Sequence, residues 1–180
     1  MNRRIPVIGV MGSGTSSHAD RAAPLGRWLA QRGVHLLTGG GGGVMAAVSR
    51  AFHESPDRLG MVIGILPCEE GSTRPKPGYP NEWVELPIYT HLPLSGTRGR
   101  EPLSRNHINV LTSDVIIALP GGAGTASETA LALSYGRPIV AYLEQRDDIE
   151  GLSSEVPVRN SLDEVCQFVE SVLSSGVAHR

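Results

Sequence analysis

Five apolar residues in a row run through a cluster of glycines straight into a helical pattern: Val115-Ile116-Ile117-Ala118-Leu119, then Pro120-Gly121-Gly122-Ala123-Gly124-Thr125-Ala126-Ser127-Glu128. A short run with no polar alternate, rich in β-branched side chains, suits a strand covered on both faces. The glycines at 121, 122 and 124 free the backbone for a tight bend and for close approach of a ligand, and Thr125 reads as the N-cap of the helix that follows. Unpaired N–H groups and the positive end of the helix dipole then converge on one small volume, which suits a phosphate or another anion. A single bend of this kind is weak evidence. The chain has a second, Thr38-Gly39-Gly40-Gly41-Gly42-Gly43-Val44-Met45, and a shorter third, Gly12-Ser13-Gly14, which either binds phosphate or only joins a strand to a helix tightly.

The rest of the chain repeats the same unit. Apolar runs predict strands at 5–11, 34–37, 60–66, 114–119 and 139–143, and three- and four-residue spacings predict helices at 20–32, 44–52, 103–111, 123–134 and 161–172. Gly33 closes the first helix, and Ser161-Leu162-Asp163-Glu164 is a capping box that opens the last. Residues 82–90 are expected to return to the sheet. The stretch 68–81 reads as a surface excursion or lid, 95–101 as flexible and locally basic, and 145–160 as a loop. Strands this uniformly apolar, alternating with helices, imply an α/β fold with a parallel sheet sandwiched by helices. A length of 180 residues fits one domain, 1–180.

Composition removes several function classes. A net charge of −2 gives no field for nucleic acid or an anionic membrane, so any anion site is local. Lys76 is the only lysine, set in Arg74-Pro75-Lys76-Pro77-Gly78, so neither a P-loop nor a pyridoxal phosphate enzyme is expected. The histidines, His179 included, and the two cysteines, Cys68 and Cys166, have no metal-ligand spacing, and no metal is expected. Met1-Asn2-Arg3-Arg4 leads directly into a strand, with no signal peptide and no membrane-spanning stretch, so the expected location is the cytoplasm.

Two side chains are candidates for chemistry. Glu128 is either the N3 carboxylate of a capping box, reaching back to Thr125, or an acid, base or hydroxyl acceptor turned over the glycine bend. Arg105 is either a solvated surface arginine or the cation of the same pocket, binding phosphate through its fork of donors. Asn106 beside it either caps or binds, and His107 is of interest only for its place next to both.

Pro120-Gly121-Gly122-Ala123-Gly124-Thr125-Ala126-Ser127-Glu128 resembles the PGGxGTxxE signature of the LONELY GUY superfamily, whose members are often mislabelled lysine decarboxylases. Thr38-Gly39-Gly40 through Gly43-Val44-Met45 is similar to that superfamily's second glycine turn. The resemblance runs from about residue 5 to 143 and implies a Rossmann-like, doubly wound parallel sheet with helices on both faces. Within the superfamily, Ile8-Gly9-Val10-Met11-Gly12, Leu36-Leu37-Thr38-Gly39-Gly40 and Arg105-Asn106-His107-Ile108-Asn109-Val110-Leu111-Thr112-Ser113 resemble the molybdenum cofactor carrier proteins and their bacterial relatives.

What the resemblance implies is a carrier for the molybdenum cofactor (molybdopterin) or a similar phosphorylated pterin. Gly12, Ser13, Gly14, Thr38, Gly39, Gly40, Gly43, Val44, Met45, Pro120, Gly121, Gly122, Gly124 and Thr125 would form the pocket with Arg105, Asn106 and Glu128. It also implies a homo-oligomer, dimer or tetramer, with molybdoenzymes as acceptors. Cytokinin-activating members instead cleave the N-glycosidic bond of a nucleoside 5′-monophosphate, using the arginine of an Arg-Lys pair and the signature glutamate. The matching catalytic positions are Arg105 and Glu128, and Asn106 replaces the lysine, removing one cation.

Overall fold

The computed structural model describes residues 4–176; Met1, Asn2 and Arg3, where no signal peptide is read, and His179 lie outside the described residues. Seven strands, β1 (Val7–Met11), β2 (His35–Thr38), β3 (Val62–Leu66), β4 (Leu86–Tyr89), β5 (Val115–Ala118), β6 (Ile139–Tyr142) and β7 (Val158–Arg159), form one sheet. Five helices alternate with them: α1 (Ala19–Ala30), α2 (Val44–His53), α3 (Asn106–Thr112), α4 (Ala123–Ser134) and α5 (Leu162–Ser174). The strand order is β4-β3-β2-β1-β5-β6-β7 and every pairing is parallel, a Rossmann-like α/β fold.

Successive strand residues point to opposite faces, so a strand apolar at every position feeds two cores. Val115, Ile117 and Leu119 join α1, α2 and α5 on one face, whereas Ile116 and Ala118 join α3 and α4 on the other. This two-sided burial is the physical content of the unbroken apolar runs. The edges differ from the centre: three of the four β4 residues are exposed, and β7 is two residues long.

The reading of 145–160 as a plain loop is corrected. A 3₁₀ turn at Arg146–Asp148 leads to the buried Ile149, Leu152 and Val156, which complete the core beside β6, and the segment ends in β7. Their three- and four-residue spacing carried the signal, but abundant charged and small residues masked it. The Ser161 cap is present: its hydroxyl oxygen accepts the Glu164 N–H at 3.3 Å and its O–H donates to the Glu164 carboxylate at 2.8 Å. Among the described residues no helix is long and apolar enough to cross a membrane.

Helices α1 and α2 touch through Gly26, where an added Cβ would lie 2.6 Å from the Val48 carbonyl oxygen and 3.0 Å from the Ala51 Cβ. Glycine to alanine in a helix ordinarily gains about 1 kcal/mol. Here the gain is outweighed, because the contact is backbone that cannot rotate away and overpacking costs about 1–3 kcal/mol. Gly26→Ala is therefore expected to lower the urea midpoint; a raised midpoint would show that the two helices separate at little cost.

Candidate anion-binding cleft

Strand order decides where a ligand can enter. The chain winds outward from β1 through β4, then returns to the other side of β1 with β5, so the winding reverses between β1 and β5. In an open parallel sheet the loops leaving the carboxyl ends of two such strands diverge and leave a crevice. Gly12-Ser13-Gly14 follows β1, the 119–122 bend follows β5, and the 39–43 glycines follow the adjacent β2.

The three bends touch. Ser13 N–H donates to the Pro120 carbonyl at 3.0 Å, and Val44 N–H donates to the Ser13 carbonyl at 2.9 Å. A Cβ on Gly43 would overlap the Ser13 carbonyl, and one on Gly42 would lie 3.0 Å from the Gly14 oxygen, so the second bend needs glycine to approach the first. Gly43 also has φ of 59°. Part of the amide supply is used internally: Gly121 N–H goes to the Asp148 carbonyl at 3.2 Å and Gly40 N–H to the Thr38 hydroxyl at 3.1 Å. The first i→i−4 bond of α4 is Ala126 N–H to Gly122 carbonyl, which leaves the amides of Ala123, Gly124 and Thr125 before it at the helix start.

The assignment of Thr125 as N-cap is corrected. Helix α4 begins at Ala123 with Gly122 as its N-cap, because an extended glycine lets the chain turn into the helix without a capping side chain. Thr125 instead packs its side chain against Gly121, and Glu128 falls in the second turn, too far along to close a capping box. Glu128 is buried, 7% exposed, and its Oε1 accepts a hydrogen bond from Asn109 Nδ2 at 2.9 Å.

Arg105, immediately before α3, is no solvated arginine: it is 5% exposed, with its guanidinium against Gly39, where a Cβ would overlap it. Arg105 Nη1 lies 3.7 Å from Glu128 Oε1, close enough for charge attraction and too far for a hydrogen bond. Its Nε and Nη1 are buried without a hydrogen-bond partner. Buried donors of a charged group are costly when left unpaired, so these two nitrogens, on a side chain that lines the cleft, are a standing demand for an acceptor. Burial pushes the Glu128 carboxyl upward, outweighing the charge of Arg105 and the hydrogen bond of Asn109, which pull it down. A proton on Glu128 leaves the guanidinium charge for an outside anion.

That raised value fixes a sign. Between the ordinary carboxylate range and the folded value, the native state holds more protons than the unfolded chain, so this group's contribution to stability is full at low pH and is lost as pH rises. Glu128→Gln removes the slope. The stability of the variant relative to the parent is expected to increase in urea titrations as pH rises through and above the ordinary carboxylate range; a constant difference would contradict the upward shift.

The cleft has a volume of about 310 Å³, at the small end of ligand sites. Of the residues singled out in the sequence, Gly12, Ser13, Gly14, Gly39, Met45, Arg105, Asn106, Gly122, Gly124, Thr125 and Glu128 line it. Thr38, Gly40, Gly43, Val44, Pro120 and Gly121 do not, and their contacts hold the bends together from behind. Val10, Met11, Thr15, Tyr79, Ser95 and Gly96 line it as well and were not foreseen. Asn109 was also missed, although it stands four residues after Arg105, the spacing that places two side chains on one helix face. Nothing local marks Tyr79, Ser95 or Gly96, which the 68–81 and 95–101 segments bring in over the sheet. The 95–101 segment contains a 3₁₀ turn, Gly96–Arg98, that meets α4 where the Ser127 hydroxyl shares its hydrogen between the Ala123 carbonyl at 2.8 Å and the Gly96 carbonyl at 3.0 Å, and its Arg98 is paired with Glu101 at 2.7 Å. His107 lies outside the cleft, bonded to Tyr135 Oη at 2.6 Å.

The SLOG cluster4 family matches residues 5–166. The molybdenum cofactor binding protein from the phototrophic bacterium Rippkaea orientalis is 32% identical, with 96% of this chain and 99% of that one aligned at a TM-score of 0.75. The Moco carrier protein from Chlamydomonas reinhardtii is 31% identical, with 96% and 99% aligned at a TM-score of 0.73. The cytokinin riboside 5′-monophosphate phosphoribohydrolase LOG of Oryza sativa subsp. japonica is 32% identical over 123 residues, 68% of this chain and 44% of that protein. The chain thus spans under half the length of the rice enzyme.

Proposed function

The chain belongs to the SLOG cluster4 family, and from that premise we propose that it is a carrier of a phosphorylated small molecule, best matched by the molybdenum cofactor. The observation that carries the reading is the pair of buried guanidinium nitrogens of Arg105, Nε and Nη1, that have no partner within the protein, on a side chain that lines one cleft with the glycine bends and the start of α4. The cofactor ends in a phosphate monoester, and a guanidinium fork together with backbone amides at a helix start is the donor set such a group takes. Arg105, Gly124 and Thr125 would hold it, with Gly39 leaving room for the guanidinium. Likeness along nearly the whole length to a molybdenum cofactor binding protein and a Moco carrier protein supports the choice of cargo. The proposal includes a single domain, a cytoplasmic homo-oligomer and delivery to molybdoenzymes.

One observation favours a second reading. Glu128 is buried, raised in pKa and 3.7 Å from Arg105, a placement suited to proton transfer or to stabilising positive charge while an N-glycosidic bond breaks. The rice phosphoribohydrolase supports it. Asn106 in place of a second cation favours holding over turnover.

Two assays on the wild-type protein separate the readings. As a carrier it protects molybdenum cofactor from oxidation and passes it to an apo-molybdoenzyme, and protection no better than that given by an unrelated protein overturns the carrier. Release of free adenine from AMP at a catalytic rate overturns a carrier without turnover and establishes the hydrolase.

A further inference from the structure

The 68–81 excursion supplies one side chain to the cleft, Tyr79, and the geometry around it is built rather than incidental. Its ring edge rests on Gly41, where an added Cβ would lie 2.8 Å from Cε1, Cζ and Oη, so only glycine lets the phenol sit this close to the main chain. Two residues on, Asn81 clamps the same glycines: its N–H donates to the Gly40 carbonyl at 2.7 Å and its Nδ2 to the Gly41 carbonyl at 2.8 Å. The excursion is braced at its other end by Lys76, whose Nζ donates to the Pro93 carbonyl at 2.6 Å, and by the Tyr79 N–H bonded to the Lys76 carbonyl at 3.1 Å. Arg105 lies against Gly39 and Tyr79 against Gly41 of the same run. Two residues of extended chain span at most about 7 Å, so the glycines against which the guanidinium and the ring rest are no farther apart than that, and both side chains line the same cleft.

We propose that Tyr79 is the ring-selecting residue of the cleft: it provides the flat apolar contact for a planar heterocycle whose phosphate is held by Arg105. The proposal rests on the anion-binding reading above and adds to it the side chain that recognises the ligand's ring. Met11 and Met45 also line the cleft, giving the heterocycle apolar and polarisable neighbours. A phosphate monoester without a ring uses only the arginine and the bends; one with a ring uses Tyr79 as well.

The test compares AMP and neopterin monophosphate, which carry rings, with ribose 5-phosphate, which does not, by calorimetric titration of the wild type, Tyr79→Ala and Tyr79→Phe. Loss of an aromatic stacking partner is expected to weaken both ring ligands about tenfold in Tyr79→Ala and to leave ribose 5-phosphate unchanged. Tyr79→Phe keeps the ring and is expected to bind all three as the wild type does. An equal loss for all three ligands, or no loss for any, overturns the role of Tyr79 while leaving the anion site standing. Failure of the wild type to bind all three overturns both.

Discussion

Arg105→Met is expected to weaken the binding of phosphate monoesters by about 10- to 150-fold, the equivalent of the 1.5–3 kcal/mol that a hydrogen bond to a charged group contributes. The methionine keeps most of the volume and the apolar stem while removing every donor of the fork. The fold is expected to survive the change. The guanidinium makes no hydrogen bond through Nε or Nη1 within the protein, so little internal pairing is lost. Its one charged neighbour, Glu128, is already displaced by burial toward the protonated form and takes up a proton more readily once Arg105 is gone. Titration with inorganic phosphate and AMP beside a thermal melt checks both halves. Unchanged affinity would place Arg105 outside the binding site, and a collapsed melt would make it a structural ion-pair member.

Gly39→Val is expected to produce the same phenotype without touching a charge. The Cβ of any residue at 39 would overlap the Arg105 guanidinium, and valine adds two methyl groups to that overlap. The arginine must leave its place or the bend must open. Either way affinity for phosphate monoesters falls about tenfold or more, and overpacking costs about 1–3 kcal/mol of stability. If both substitutions act through the guanidinium, the Gly39→Val, Arg105→Met double variant is expected to bind no worse than the weaker single variant. Additive losses would show that Gly39 acts through its own amide.

The sheet was readable because its strands are buried on both faces, so Val115 through Leu119 form an unbroken apolar run that no amphipathic helix produces. The glycine bends were readable for a related reason: Gly43 lies against Ser13 and Gly14 so closely that no side chain fits. Local pattern failed at Thr125 and Glu128. A threonine followed three residues later by a glutamate satisfies the capping-box spacing, but Gly122 caps the helix and Glu128 belongs to a contact with Asn109 and Arg105 made across two helices. The burial of Arg105 was likewise invisible, since it depends on the Gly39 bend reaching over from β2. Tyr79 is the extreme case: its excursion has no periodicity, and only the Asn81 clamp on Gly40 and Gly41 brings it to the cleft.

On the proposed function these effects share one cause, a negatively charged group received jointly by Arg105 and by main-chain amides of separate bends. The most direct test is an amide and guanidinium NMR titration of the ¹⁵N-labelled protein with inorganic phosphate. The account predicts that Gly12, Gly14, Gly39, Gly124 and Thr125 amides and the Arg105 Nε–H shift together with one dissociation constant. Shifts confined to the surface, or an Arg105 signal that stays still while the glycines move, would contradict it.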